Sequence, residues 1–225
     1  MRLSKFFFVF FLILLSLSAH LSAQSLRVGL HAGPDLTDLR WQNDIIQADL
    51  YDPKVGFVVG GDVVWQFSKH FGVGAGLNLE RKGGGGGVLT DENGYEVPGG
   101  KFRYHFDYLS VPIFLEASAG NKLRYIVRVG STSSYLLSQK DVLKGFTVDQ
   151  MTFDTTINQT GKYERLDVGL SGALGLEVPI NEKIHFRALT QGTYGLVNLY
   201  KLKGEGFSEV RNTFFAVTFG LTFLL

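Results

Sequence analysis

The sequence contains no cysteine. This absence excludes a disulfide scaffold, a thiolate metal site, a cysteine nucleophile and the lipid-bearing cysteine of a lipoprotein. The sequence also lacks an excess of charge of either sign, because 22 lysine and arginine residues stand against 21 aspartate and glutamate residues. Proteins that bind nucleic acid normally carry a concentrated basic surface, so we expect no nucleic-acid partner. The 28 glycines, 13% aromatic residues and 19% charged residues are typical of a β-rich protein rather than a disordered one.

Residues 1–23 resemble a secretory signal peptide. Arg2 and Lys5 precede the apolar run Phe6 to Leu17, and small residues follow up to Ala23. The alternative, a membrane anchor helix, would need roughly 20 apolar residues. No apolar run that long follows Gln24. We therefore predict a signal peptide over 1–23 and one domain over 24–225.

The remaining chain is dominated by alternation of apolar and polar residues, which places every second side chain on one face of a strand. Eight segments show it: 26–33, 55–67, 71–80, 104–116, 123–130, 165–178, 184–194 and 215–223. In the fourth segment, Tyr104, Phe106 and Tyr108 are out of phase with the residues that follow. This predicts a β-bulge near Tyr108, or a stretch that stands clear of the apolar layer.

The connections between these segments alternate in length. Residues 68–70, 118–122 and 180–183 form tight turns, whereas 34–54, 83–102, 139–162 and 197–210 are long and mostly polar. Transmembrane barrels have short periplasmic turns and long outer loops in this order. The sequence therefore predicts an all-β, eight-stranded antiparallel up-and-down barrel with both termini in the periplasm.

The polar face decides between a membrane barrel and a soluble, lipocalin-like one. It carries charges of both signs interleaved with glycines, which suits a narrow lumen where each buried charge needs a partner. We predict a structural charge network in the lumen, made of Arg27, Asp62, Glu80, Glu116, Arg124, Arg128, Arg165, Asp167, Glu177 and Arg187. An ion path through the same residues is the alternative, although an eight-stranded barrel is normally filled by its own side chains.

Aromatic residues on the apolar face fall into two girdles, as expected at the two membrane boundaries. The girdle at the turn end contains Trp65, Phe67, Phe71, Tyr125, Phe186 and Phe223. The girdle at the loop end contains Phe57, Tyr135, Tyr194 and Phe215.

Several segments resemble a known family. They are residues 26–33 (LRVGLHAG), 72–77 (GVGAGL), 108–112 (YLSVP) and 219–223 (FGLTF). Together they resemble the PorT-like outer-membrane β-barrel proteins of one large group of Gram-negative bacteria. The resemblance implies an OmpX- or OmpA-like barrel in the cell outer membrane that contacts its lipid and is assembled by the barrel-assembly machinery. Family members end in an aromatic-rich strand, whereas this chain ends in Leu225 with Phe223 two residues before it.

Motifs for chemistry are scarce. His31, His70, His105 and His185 have no metal-ligand spacing, and no catalytic or cofactor motif is present. His105 and Ser110 could be compared with barrels that modify lipid A, but their spacing puts them on opposite faces of a strand. Apolar residues in the long connections could form a partner surface or pack the loops onto one another: Trp41, Ile45, Ile46, Leu143, Phe146, Met151 and Phe153.

We therefore expect a non-enzymatic membrane protein without cofactor or metal. Its role would be structural or a surface interaction through the long outer loops, with an unidentified surface or periplasmic partner. A small channel, a lipid A-modifying enzyme and a soluble binder are the alternatives.

Overall fold

A computed structural model describes residues 25–42, 54–90, 96–148, 151–199 and 209–225. The signal peptide expected over 1–23 lies outside these ranges, as do Ile45 and Ile46. Among the described residues, no helix is long and apolar enough to cross a membrane.

Nine strands form the described structure. They are β1 (Ser25–Gln42), β2 (Lys54–Gln66), β3 (Phe71–Thr90), β4 (Glu96–Ala119), β5 (Arg124–Val148), β6 (Met151–Asn158), β7 (Leu166–Pro179), β8 (Ile184–Gly195) and β9 (Glu209–Leu224). A short 3-10 turn, Thr160–Lys162, lies between β6 and β7.

Eight of the strands close into a ring in which every pairing is antiparallel. The order around the ring is β1, β2, β3, β4, β5, β7, β8, β9 and back to β1. Closure pairs the first strand with the last, from Arg27 opposite Leu224 to Gln42 opposite Glu209. The predicted eight-stranded up-and-down barrel is confirmed. A closed ring pairs the backbone groups of every wall strand, which is the requirement that hydrocarbon imposes on strands.

The short strand β6 extends the wall above β7. Strand β5 pairs with β7 as far as Tyr135, and from Lys140 upwards it pairs with β6 instead. At the changeover, the Gln139 backbone N–H donates to Thr160 Oγ1 at 2.8 Å. Strands β6 and β7 therefore act as one descending strand interrupted by the 3-10 turn.

The predicted bulge lies at Tyr108, but its extra residue belongs to β5. Asp107 pairs with Ser138 and Tyr108 with Leu136, so Leu137 has no partner in this register. Strand β4 keeps its alternation, and Phe106 and Tyr108 are both buried inside the barrel. Phe106 and Tyr108 are out of phase with the apolar residues that follow because their side chains point into the lumen, where they form an apolar cluster in its outer part.

Several strands continue well beyond the segments predicted for them. Strand β1 extends to Gln42, β3 to Thr90 and β5 to Val148, while β4 begins at Glu96. Much of the predicted loops is therefore strand. Apolar alternation disappears in these extensions because neither face of the sheet lies against hydrocarbon.

The apolar face of the ring points outwards. Leu30, Leu170 and Leu174 are 58%, 59% and 63% exposed, whereas Arg27 and Glu177 are 1% and 0% exposed. A soluble barrel has the opposite distribution, with apolar side chains inside and polar ones outside. The soluble, lipocalin-like alternative is therefore wrong.

Candidate functional site

A chain of ion pairs fills the half of the lumen near the short turns. Arg27 is its first link: Nη1 donates to Glu116 Oε1 at 2.7 Å and Nη2 to Glu177 Oε2 at 2.5 Å. His185 Nδ1 lies 3.0 Å from the other oxygen of Glu177. These groups stand on β1, β4, β7 and β8, so a single arginine connects distant parts of the wall.

Arg128 continues the chain towards the middle of the barrel. Its Nε donates to Glu116 Oε2 at 2.9 Å and its Nη1 to Asp62 Oδ2 at 3.2 Å. Its guanidinium carbon lies 4.2 Å from the centre of the Phe114 ring. The ring face attracts the cation and closes one side of the lumen at this level.

Asp62 is the last carboxylate of the chain. It accepts two hydrogen bonds from Arg187, at 3.0 and 2.5 Å, in addition to the bond from Arg128. His31 Nδ1 lies 3.5 Å from Asp62 Oδ2, and its Nε2 lies 3.1 Å from Asn78 Oδ1. Three arginines and three carboxylates are thus joined with no net charge, which satisfies the need of buried charges for partners.

A second ionic group lies nearer the outer end. Lys82 Nζ is 2.9 Å from Glu80 Oε2 and 5.0 Å from the ring centres of both Tyr108 and Phe214. Ser110 Oγ donates to the same Glu80 oxygen at 2.7 Å. The ammonium group is therefore held between a carboxylate and two aromatic faces, and only 2% of the residue is exposed.

An apolar cluster closes the lumen above Lys82. Phe106, Tyr108, Leu136 and Leu199 are buried there, with Tyr163 packed edge-on against Phe106 at 5.0 Å. Leu199 follows β8 and is held by a hydrogen bond from the Glu164 backbone N–H to its carbonyl at 2.8 Å. Segments on both sides of β7 and β8 thus fold over the barrel mouth.

Four of the residues predicted for the lumen network stand apart from the chain of ion pairs: Glu80, which pairs with Lys82, and three others. Asp167 is buried at the outer end and accepts a hydrogen bond from Asn212 Nδ2 at 3.0 Å. Arg124 lies half-buried at the short-turn end, where its Nη2 donates to Ser118 Oγ at 2.6 Å. Arg165 is not in the lumen: it is exposed just before β7 begins, and its guanidinium carbon lies 5.8 Å from the Tyr135 ring centre.

The structure places the girdle aromatics on the outer surface in two bands. Tyr125 and Tyr135, ten residues apart on β5, are 58% and 47% exposed. At about 3.4 Å per residue and a tilt of about 40°, they are separated by about 26 Å across the membrane. This matches the apolar band of roughly 25 Å in outer-membrane barrels.

The family model described as "Outer membrane protein beta-barrel domain" matches residues 22–201. The chain belongs to this outer-membrane β-barrel family. Its place is therefore the outer membrane, and the apolar outer surface described above is its lipid-facing surface. No curated protein matches the sequence.

Several solved outer-membrane barrels are similar to this chain in structure at low sequence identity. A major outer membrane protein from Thermus thermophilus has a TM-score of 0.50 at 11% identity, covering 90% of this chain and 100% of that one. OprG from Pseudomonas aeruginosa has a TM-score of 0.47 at 11% identity, with coverage of 92% and 97%. Neisserial surface protein A has a TM-score of 0.47 at 8% identity, with coverage of 90% and 99%.

The lumen of this barrel offers little space for chemistry. A cavity of about 40 Å³ lies between the ion-pair chain and Glu80, lined by polar groups such as His31, Asn78 and Thr132. A water molecule needs roughly 10–15 Å³ of such space, so the cavity suits a few waters. In the described ranges, no three histidine, aspartate or glutamate side chains gather as metal ligands.

The comparison with lipid A-modifying barrels finds no matching geometry. Ser110 is fully buried in the lumen, where its Oγ contacts Glu80 and Ser134. His105 lies five residues before Ser110 on β4, which alternates without interruption between them, so His105 faces outwards. The two side chains lie on opposite sides of the wall.

Sequence reasoning missed Lys82, His31 and Asn78. The signal for Lys82 was present: it stands two residues after Glu80 and has the same inward parity. The glycine run that begins at Gly83 suggested that the strand had ended. Of the apolar residues proposed for a loop surface, the structure describes the side-chain placement of Leu143 alone, which is half-buried.

Proposed function

We propose that this outer-membrane barrel is a non-enzymatic surface-interaction protein that uses the part of its wall projecting from the outer leaflet. The observation that carries the proposal is the contrast between its two parts. The lumen is filled by the ion-pair chain and the apolar cluster, whereas β3, β4, β5 and β6 continue outwards as a sheet. We also propose that the signal peptide exports the chain. The resemblance at residues 108–112 further suggests that the protein belongs to the PorT-like group.

The filled lumen favours a closed barrel over a small channel. A conducting path would have to pass the fully buried Arg27, Arg187 and Lys82, and then the cluster around Phe106. Eight-stranded barrels have an interior just wide enough for their own side chains.

The projecting sheet has two edges that are available for contacts. Among the described residues, β6 pairs with β5 alone, and β3 above Arg81 pairs with β4 alone. Unpaired edges present rows of backbone N–H and C=O groups that another chain can use. Among the residues whose side-chain placement is described, this part exposes more positive than negative charge: Arg103, Lys140, Lys144 and Lys162 against Asp154. We therefore propose an anionic surface as the partner.

The outer girdle supplies a fixed base for this sheet. Arg81 Nε donates to Asp107 Oδ1 at 2.6 Å, and the Arg81 guanidinium carbon lies 5.4 Å from the Phe57 ring centre. Burial alone would raise the pKa of Asp107, but the hydrogen bond and the charge of Arg81 outweigh it and lower that pKa. The pair stays ionised at neutral pH where outer-leaflet headgroups would contact it.

A trimmed barrel tests the proposal. Lys82 pairs with Phe106, and Leu143 with Thr155, so residues 83–105 and 144–154 can each be replaced by an Asn-Gly turn. The ion-pair chain, Lys82 and the four buried residues of the apolar cluster all remain, and Tyr104 is removed from the margin of that cluster. Full and trimmed chains are displayed on a heterologous Gram-negative host and tested for adhesion to immobilised dextran sulfate, with neutral dextran as control. Planar-bilayer recordings of both purified proteins test conduction.

We expect dextran sulfate to retain cells with the full chain but not cells with the trimmed chain. Both proteins should migrate differently in SDS when unboiled and boiled, since the barrel is intact in each, and neither should conduct. Equal adhesion of the two strains, or discrete single-channel currents from the full chain, would overturn the proposal.

A further inference from the structure

Arg124 differs from the other arginines of the lumen because it has no carboxylate partner. Arg27, Arg128 and Arg187 each form ion pairs, whereas among the described residues Arg124 forms none. Its single hydrogen bond runs from Nη2 to the neutral Ser118 Oγ at 2.6 Å. A half-buried guanidinium therefore keeps most of its five donor positions available.

The nearest carboxylate is already engaged. Glu177 stands opposite Arg124 in the pairing of β5 with β7. Its two oxygens are bound by Arg27 at 2.5 Å and by His185 at 3.0 Å. The charge of Glu177 is thus engaged deeper in the lumen. Arg124 forms no ion pair with it, and Glu177 and Glu116 attract the guanidinium only at longer range.

Arg124 lines a cavity of about 310 Å³ that opens at this end. The β2–β3 turn contributes Lys69 and His70, and the β4–β5 turn contributes Gly120 and Asn121. The remaining wall comes from Ser118, Glu177, Pro179 and His185. Lys69 and Arg124 bring two positive charges to the lining against one negative charge from Glu177, which is also bound by Arg27 and His185. Short turns face the periplasm in barrels of this class, so we name the cavity the periplasmic vestibule.

We propose that the periplasmic vestibule binds a phosphate group, with the Arg124 guanidinium and the Lys69 ammonium as its main ligands. The guanidinium offers several N–H donors in one plane, and the ammonium offers a compact charge from the neighbouring β2–β3 turn. Such a pair can donate to the non-bridging oxygens of a phosphate, of which a monoester has three and a phospholipid diester has two. The vestibule is larger than a phosphate ion, so the phosphate can belong to a larger molecule.

Two sources could supply this phosphate: a soluble phosphomonoester of the periplasm, or the headgroup of an inner-leaflet phospholipid at the rim. The test therefore has two arms, both using the full chain in a sugar-headgroup detergent free of phosphate. In the first, glycerol 3-phosphate is titrated by calorimetry, with acetate as the carboxylate comparison. In the second, the protein is extracted from bilayers of equal phosphatidylglycerol and phosphatidylcholine, and native mass spectrometry identifies the retained lipid.

Arg124→Gln and Lys69→Gln remove the two proposed ligands. Lys122→Gln is the matched control, because Lys122 is an exposed lysine of the β4–β5 turn that does not line the vestibule. A mobility difference in SDS between unboiled and boiled samples checks that each variant has folded. Lys69 is exposed in a turn, so its variant keeps the test usable if Arg124→Gln does not fold.

We expect one of two results. Saturable binding of glycerol 3-phosphate at one site would identify a soluble phosphomonoester as the source of the phosphate. Retention of one phosphatidylglycerol in preference to phosphatidylcholine would identify a phospholipid headgroup. Affinity or retention should fall roughly tenfold or more in Arg124→Gln and clearly in Lys69→Gln, and by less than about twofold in Lys122→Gln. The proposal is overturned if neither arm shows saturable binding, if acetate binds as tightly, or if Lys122→Gln weakens binding as much as Arg124→Gln.

Discussion

Arg187 donates two hydrogen bonds to the carboxylate of Asp62, at 3.0 and 2.5 Å, although β1 and β9 separate their strands around the barrel. The pair is buried, with side-chain exposures of 1% and 2%. Through Arg128 and Glu116 it is linked to Arg27, so one continuous chain of ion pairs connects six of the eight wall strands. The barrel is therefore stabilised by ion pairs across its lumen as well as by backbone hydrogen bonds between neighbouring strands.

Replacing Asp62 by asparagine should be strongly destabilising. The substitution leaves Arg187 without its carboxylate and Arg128 with one partner fewer, and an uncompensated buried charge costs about 3–5 kcal/mol. The free energy of unfolding in urea, measured on protein folded into lipid vesicles, checks this. Asp154→Asn is the control because Asp154 is exposed on β6, and its loss should be small. Similar losses at the two positions would show that Asp62 does not hold a buried network.

The membrane-spanning part of the fold could be read from the sequence because hydrocarbon forces one face of each strand to be apolar. That rule also gave the inward parity of residues such as Asp62 and Glu177. The rule wrongly predicted that Arg165 lies in the lumen. Strand β7 begins at Leu166, so the alternation does not fix the direction of the residue before it. The outer extensions escaped prediction for a related reason: water on both faces removes the pattern.

The two sides of the wall should also differ in how they tolerate charge. Val129 faces outwards on β5 near the midpoint between Tyr125 and Tyr135, and Val129→Arg should cost about 2–4 kcal/mol in the bilayer. Val55 also faces outwards but lies beyond Phe57 at the outer boundary, where the same substitution should cost about 0–1 kcal/mol. Unfolding of both variants in vesicles makes the comparison. If arginine were tolerated equally at both depths, the proposed position of the apolar band would be wrong.

Adjacent leucines at the bulge provide a test of the apolar cluster. Leu136 is 0% exposed and packs with Phe106 and Tyr108, whereas Leu137 is 45% exposed on the outer surface. Leu136→Ala should cost about 2–5 kcal/mol because it leaves a cavity in a closed cluster. Leu137→Ala should cost about 1 kcal/mol or less. Urea unfolding measures both, and an inverted order would mean that the bulge turns Leu137 inwards.

A glycine at the β4–β5 turn sets the geometry of the short-turn end. Gly120 has φ +109°, and an added Cβ would lie 2.0 Å from the Leu123 carbonyl oxygen. Backbone strain of this kind costs of order 1–3 kcal/mol, so Gly120→Ala should destabilise the barrel by about that amount. Gly161→Ala is the matched control, since nothing lies within 4 Å of its Cβ position. Unfolding free energies in vesicles distinguish the two, and a neutral Gly120→Ala would show that the turn adopts another conformation. Because Gly120 also lines the periplasmic vestibule, a folded Gly120→Ala protein with altered phosphate binding would connect the geometry of the turn to the site.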